Sequence, residues 1–316
     1  MKRKAIITGL SGKFLTNNEK KILRLKVKPW GIILFKRNIN SYKQIKNLIK
    51  SIRKITRDRN YPILIDEEGG SISRLSKIMD LSKFSQNFFG DLYEKNKNLG
   101  EYLYKDYINQ LSKVLKDLKI NINTVPVLDT QYKSTNNFLT TRIYSKKIKT
   151  IKRLGNICVN EYKKNKIATT IKHIPGHGLS KVDSHKKLPV VNKNLNYLMN
   201  YDFNCFKNIN SLFAMTAHVL YKKLDKYNCA THSKLIIDKI IRKKINFKGI
   251  IISDDICMKA LKKDLVSNAI KSIEAGCNIV LHCSGKYQEI RKLVKILPEI
   301  DDFTKKKTSE FYKFLS

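Results

Sequence analysis

Three of the chain's six histidines fall within KHIPGHGLSKVDSH, residues 172–185, together with two lysines and an aspartate. Imidazole changes charge near neutral pH, so a cluster of this kind can hold a metal or move protons. A metal pair of His173 and His177 would need a helix to bring i and i+4 together, and Pro175-Gly176 between them forbids one. A loop that gathers His173, His177 and Asp183 round a cation is the remaining metal reading, and no metal is expected. Asp183-Ser184-His185 offers better chemistry. A carboxylate two residues from an imidazole can bond one ring nitrogen and fix its tautomer, which leaves the other nitrogen to carry a proton to a leaving group. The alternative is an Asx turn beside a solvated histidine.

Other residues suit a partner role. Asp254 follows the apolar run GIIIS and suits a nucleophile or counter-charge, whereas Asp255 fits the N-cap or first-turn acid of a segment starting near Ile256. Asp66 and Arg74 flank Glu67-Glu68-Gly69-Gly70, and they could hold sugar hydroxyls between an acceptor and a planar donor fork, or form a plain surface salt bridge. Gly9-Leu10-Ser11-Gly12-Lys13 lacks the spacing of a phosphate loop and is excluded as a nucleotide site.

The elements that must position these groups are legible as eight apolar, β-branched runs: 5–10, 31–35, 62–67, 122–129, 168–174, 212–219, 249–255 and 278–283. Most are apolar on both faces, as strands covered on both sides of a parallel sheet must be. Segments 41–55 and 233–245 space apolar residues three and four apart opposite lysine-rich faces and predict helices, and 84–118 predicts one or two amphipathic helices outside the sheet. Eight alternations without a Gly/Pro/Ser-rich linker predict an α/β fold, a single-domain (β/α)8 barrel over residues 1–316 with some strands irregular; periodicity alone leaves an open doubly wound sheet as the alternative. A barrel places chemistry at the C-terminal strand ends, where Asp66, Asp129, Lys172, His173, His218 and Asp254 all fall.

Composition excludes more than it assigns. With 316 residues, 42% of them hydrophobic, the chain can bury a large core. Its 64 basic against 26 acidic residues, formally +38, first suggest nucleic acid or a membrane surface. The lysines are spread along the whole chain beside abundant Asn and Ile, as A- and T-rich coding would produce, and no RNP-type motif, finger or basic helix stands out. No specific nucleic-acid partner is therefore expected. The start MKRKAIITGL has too short an apolar run for an export leader, and no stretch approaches the roughly 20 apolar residues of a membrane span. A soluble, cytoplasmic protein without a membrane partner or cofactor is expected. Cys158, Cys205, Cys229, Cys257, Cys277 and Cys283 form no CxxC pair and read as reduced core thiols.

In order along the chain, GIILFKRNI (31–39), DEEGGSISRL (66–75), VPVLD (125–129), KHIPGHG followed by DSH, AMTAHVLY (214–221), SDDICM (253–258) and AGCNIVL (275–281) resemble the bacterial β-N-acetylglucosaminidases of glycoside hydrolase family 3, which act in peptidoglycan recycling. The resemblance implies Asp254 as nucleophile, His185 as general acid/base and Asp183 as its partner. It implies that Asp66, Arg74, Arg142, Lys172 and His173 contact a terminal N-acetylglucosamine, and it assigns His177 no sugar contact. Two segments depart from the pattern: Glu67 stands where glutamine is more usual, and TTRIYS (140–145) matches the family's Arg-containing segment only loosely. The implied reaction is double displacement with retention, on a small carbohydrate substrate such as N-acetylglucosaminyl-anhydromuramic acid and its peptides, by a monomer. A phosphorylase or β-glucosidase of the same family and, in a different class, a basic nucleic-acid-binding protein are the competing readings.

Overall fold

The computed structural model describes residues 2–316. Eight parallel strands close a barrel: β1 (Lys4–Gly9), β2 (Pro29–Leu34), β3 (Ile63–Ile65), β4 (Ile122–Asn123), β5 (Ala168–Ile174), β6 (Phe213–Thr216), β7 (Ile250–Asp255) and β8 (Ile279–His282). Each pairs with its neighbours in sequence and β8 returns to β1, so the closed barrel stands and the open sheet does not. All eight predicted runs contain a strand. The fourth run is mostly irregular, because Pro126 has no N–H to give a ladder. Its carbonyl instead accepts from the Lys172 N–H at 3.0 Å, and the Leu128 N–H donates to the Lys172 carbonyl at 2.7 Å. This irregular stretch carries Asp129 into the mouth beside β5.

Segment 41–55 is the helix Tyr42–Thr56, begun by Ser41, whose side chain accepts from the Gln44 N–H. The 84–118 insertion is two helices, Gln86–Lys95 and Lys97–Asp117, separated by Asn96 as N-cap of the second. Segment 233–245 is helical but wound wide, as a π-helix over Ile236–Lys244, with the Ile245 N–H reaching back to the Ile240 carbonyl at 2.8 Å.

The first residues of the strands meet a floor. Trp30 and Phe213 pack on Phe311 of the C-terminal helix Asp302–Leu315 with ring centroids 6.3 and 5.5 Å away, and the Trp30 indole N–H donates to Thr308 Oγ1 at 2.9 Å. This aromatic plug fills the N-terminal end, so the strands open only toward their C-terminal ends.

The loop after β3 is built round one buried side chain. Glu67 Oε2 accepts from the N–H groups of Arg74 (2.7 Å) and Leu75 (2.8 Å) and from Ser73 Oγ (3.3 Å), while Oε1 accepts from the Gly69 N–H (3.2 Å). These bonds fold residues 66–75 into a compact turn that aims Asp66 and Arg74 at each other. Gly69 and Gly70 have φ of 76° and 58°, the left-handed region that glycine adopts without strain. Burial pushes the Glu67 carboxyl up to about 7, from an ordinary 4.5, against the pull of its donors. A raised carboxyl favours the folded state fully below its unfolded value, and that contribution is lost as pH rises through the folded value. The stability of the native chain relative to Glu67→Gln is therefore expected to fall between pH 4.5 and about 7, by up to about 3 kcal/mol. Urea unfolding of both chains across that window measures it, and a pH-independent difference would contradict the assignment.

Candidate active site

The open mouth holds a cleft between the C-terminal ends of the strands. Asp66, Arg74, Arg142, Lys172, His173, His185 and Asp254 all line it. Seven of the eight residues expected at the site thus meet in one place. The eighth, Asp183, stands behind His185 and touches its ring.

One wall is a network of buried charge. Lys172, 2% exposed on β5, bonds Asp66 Oδ1 and lies 2.6 Å from Glu68 Oε1. Arg74 donates to Asp66 Oδ2 at 2.6 Å, and Thr124 Oγ1 to Oδ1 at 2.7 Å. Arg142 forks onto both oxygens of Glu68 at 2.8 Å. Burial would raise the Asp66 carboxyl, but the cations of Lys172, Arg74 and Arg142 outweigh it and hold Asp66 well below the usual carboxylate range. Glu68 is lowered in the same way, with Arg142 and Lys172 overcoming its burial. The Asp66–Arg74 pair is therefore part of the cleft and not a surface salt bridge. Arg142 is 8% exposed and committed to Glu68.

A second group orders the histidines. Asp129, fully buried, stays ionised because His173 and His177 outweigh its desolvation. It accepts from His173 Nδ1 at 2.8 Å and from the His177 N–H at 2.6 Å. The Nδ1 proton of His173 is thereby fixed, and Nε2 has no protein partner among the described residues. His177 Nε2 lies 3.2 Å from Ser184 Oγ, and burial pushes its ring down to about 4, so it is neutral at physiological pH. His173, His177 and Asp183 form no metal cluster; among the described residues the one group of metal-type donors is Cys257, His282 and Glu289.

Asp254 and Asp255 end β7 and divide the work. Burial opposes the charge on Asp254 and is outweighed by His218, by His173 and by the Asp255 N–H, which donates to Asp254 Oδ1 at 2.8 Å. His218 donates from Nε2 to the Asp255 carbonyl at 3.0 Å and so can accept at Nδ1 from Thr231 Oγ1, 2.7 Å away. Asp255 is structural, as expected of one member of the pair, but it caps no helix. Its Oδ1 accepts from the N–H groups of Cys257 and Cys283, both at 3.1 Å, tying the β7 turn to β8; the next helix starts at Leu265 under Asp264.

Across the cleft, His185 projects from the loop after β5 with its side chain 64% exposed. Asp183 Oδ1 accepts from its backbone N–H at 2.9 Å and from its Nδ1 at 2.8 Å. The Asx turn and the aspartate–imidazole hydrogen bond thus share one geometry, and Nε2 has no protein partner among the described residues. Desolvation of Asp183 is outweighed by those bonds, which hold its carboxyl below its ordinary value. A partly buried carboxylate on a strand end and an exposed imidazole on a loop thus line the same cleft, together with the charged wall of Asp66, Arg74 and Lys172.

Three contributors carried no assigned role in the sequence reading. Asp129 was visible as a polar strand end, and Glu68 in the DEEGG run, but the partners of both lie far away in the chain. Ser184 gives no sequence signal beyond its place between Asp183 and His185.

Comparison with known proteins agrees with the barrel fold. The glycosyl hydrolase family 3 N terminal domain matches residues 9–307. The chain is 31% identical over 289 residues to a beta-hexosaminidase of Psychromonas ingrahamii, covering 89% of this chain and 83% of that one. It is 30% identical over 295 residues to a beta-hexosaminidase of Haemophilus influenzae, covering 92% and 82%. Among solved structures, NagZ of Neisseria gonorrhoeae in complex with N-trifluoroacetyl-D-glucosamine superposes with a TM-score of 0.88 at 26% identity, over 100% of this chain and 90% of that one. With the barrel, the polar mouth and these matches in agreement, the chain belongs to glycosyl hydrolase family 3.

Proposed function

We propose that the chain is a retaining exo-β-N-acetylglucosaminidase that removes terminal, non-reducing N-acetylglucosamine from peptidoglycan fragments, acting in the cytoplasm as a monomeric, single-domain enzyme over residues 1–316. One observation carries the proposal: an ionised Asp254 and a His185 with a free Nε2 border the same cleft. The names of the relatives support the hexosaminide specificity, and the ligand in the gonococcal structure, an N-acylated glucosamine, points the same way.

In the proposed reaction Asp66, Arg74, Lys172 and His173 hold the hydroxyls of the terminal sugar, and Arg142 braces that wall through Glu68. Asp254 attacks the anomeric carbon while His185 Nε2 gives its proton to the departing oxygen. The bond from carbon to the aglycone breaks as the bond to the carboxylate forms. His185, now neutral, takes a proton from water, which attacks the same carbon and frees Asp254 with the configuration retained. Asp183 holds Nδ1 through both steps, so the same nitrogen gives and then takes the proton. A neutral imidazole repels an anionic acceptor less than a second carboxylate would.

The direct test is hydrolysis of p-nitrophenyl N-acetyl-β-glucosaminide beside the corresponding glucoside. The acetamido sugar is expected to react faster, and equal rates would remove the proposed specificity. His185→Ala is expected to lower kcat/KM by about 100-fold or more on glycosides with poor leaving groups, and to spare activated phenyl glycosides, which depart without a proton. Equal losses on both would take the acid role from His185. Asp254→Asn should abolish covalent trapping by a slow 2-fluoro glycoside, and a labelled peptide containing residue 254 in that variant, seen by mass spectrometry, would contradict the nucleophile assignment.

A further inference from the structure

The loop that carries the proposed acid/base is held to the rest of the protein in an unusually sparse way. Among the described residues, backbone and side-chain hydrogen bonds tie Gly178 to Thr135, and Ser180 and Lys181 to Asn136. Beyond the loop, Pro189 accepts from the Leu220 N–H. Between those anchors, in residues 182–188, the bonds of Asp183, His185, Lys186 and Lys187 all stay inside the segment. The one residue there that bonds outward is Ser184, which does so twice. Its Oγ lies 3.2 Å from His177 Nε2, and its carbonyl accepts from the Ala260 N–H at 3.2 Å.

Ser184 is 3% exposed, although the His185 side chain beside it is 64% exposed. The chain therefore turns one small hydroxyl down into the protein and leaves the dyad above it. The receiving side is rigid. His177 is 2% exposed, its N–H is bonded to the buried Asp129, and its ring packs edge-on against His173 with centroids 5.6 Å apart. Phe138 closes the remaining side, edge-on to both His177 (5.7 Å) and His185 (6.1 Å). His177 Nδ1 is buried without a partner, so the neutral ring leaves that nitrogen bare, places its proton on Nε2 and donates to Ser184 Oγ.

We propose that His177 and Ser184 are positioning residues: the His177–Ser184 hydrogen bond, with the Ala260–Ser184 backbone bond, latches the 182–188 segment so that His185 faces Asp254 across the cleft. The inference rests on the reading of His185 as acid/base and adds a role for two residues that line the cleft and that the proposed reaction does not otherwise use. A histidine is suited to this because its ring reaches from the β5 loop to the segment. Its burial also keeps it neutral at physiological pH, so the bond to Ser184 is one between neutral groups.

Ser184→Ala tests the latch while removing a single oxygen. Its kcat/KM on a glycoside with a poor, unactivated leaving group is expected to fall between about 10-fold and 100-fold, the cost of misplacing a catalytic group by about an ångström. On a dinitrophenyl glycoside it should stay within about twofold, because that leaving group needs no proton. Amide hydrogen exchange in residues 182–188 should quicken while the strands keep native protection, which separates a released loop from a damaged fold. His177→Ala should add no further loss on top of Ser184→Ala, since the pair acts through one bond. If Ser184→Ala lowers both substrates equally, or neither, while His185→Ala shows the leaving-group dependence, the latch is overturned and the acid assignment stands. If His185→Ala itself shows no such dependence, the acid assignment fails and the latch falls with it.

Discussion

Lys172 stands almost wholly out of water with a carboxylate on either side of it, and the mouth of the barrel is arranged round that fact. Removing an ammonium group from water costs several kcal/mol unless its partners and geometry are fixed. Here Asp66 comes from the end of β3, Glu68 from the turn after it, and Lys172 from β5, while Arg142 enters from the segment after β4 to complete Glu68. Four elements are thus bound by one requirement of charge compensation. Loss of any one member would leave an uncompensated buried charge, so the wall acts as a unit and each polar group is held in a single orientation before a sugar arrives. Such pre-set orientation suits the sugar contacts proposed for this wall.

Precision is distributed unevenly across the cleft. Asp254 sits on a strand, and its neighbour Asp255 ties that strand's end to Cys257 and Cys283. His185 rides on a loop with a largely exposed ring. The proposed chemistry suits this split: the carboxylate meets the same carbon in both half-reactions, whereas the imidazole must admit an aglycone, lose it and admit water on one side. A group that faces traffic gains from sitting on a segment that can be held without being embedded.

Much of this was legible in the sequence because it follows from local pattern. The apolar runs announced the strands, helical spacing announced Tyr42–Thr56, and polar residues at run ends announced Asp66, Lys172, His173 and Asp254. Other features depend on distant partners and left no local trace. Nothing in VPVLD tells that Asp129 will accept from two histidines more than forty positions later, which contacts 44 and 48 residues apart now show. Nothing in the helical spacing of TSEFYKF at 308–314 says that Phe311 will meet Trp30 under the barrel. The π-winding of Ile236–Lys244 likewise looks, in sequence, like any amphipathic helix. Glu67 is instructive in another way: the departure from glutamine falls on a side chain that organises the turn and does not line the cleft, so it alters the support and not the cleft surface.

The chain's charge points away from its chemistry. Overall it carries +38, yet around the cleft the basic side chains Arg74, Arg142 and Lys172 are matched by the carboxylates Asp66, Glu68 and Asp254. The excess positive charge therefore lies outside the reacting centre, mostly on exposed lysines separated from it by water and salt, which screen charges beyond about 10 Å. A glycosyl transition state develops positive charge on the sugar ring. In the proposed reaction Asp254, held ionised against its own burial, stabilises that charge at short range, where the dielectric is low. The surface field can still draw an anionic substrate toward the mouth. Attraction at a distance and stabilisation at contact are thus served by opposite signs in one molecule, and only the second depends on the residues that the fold holds in place.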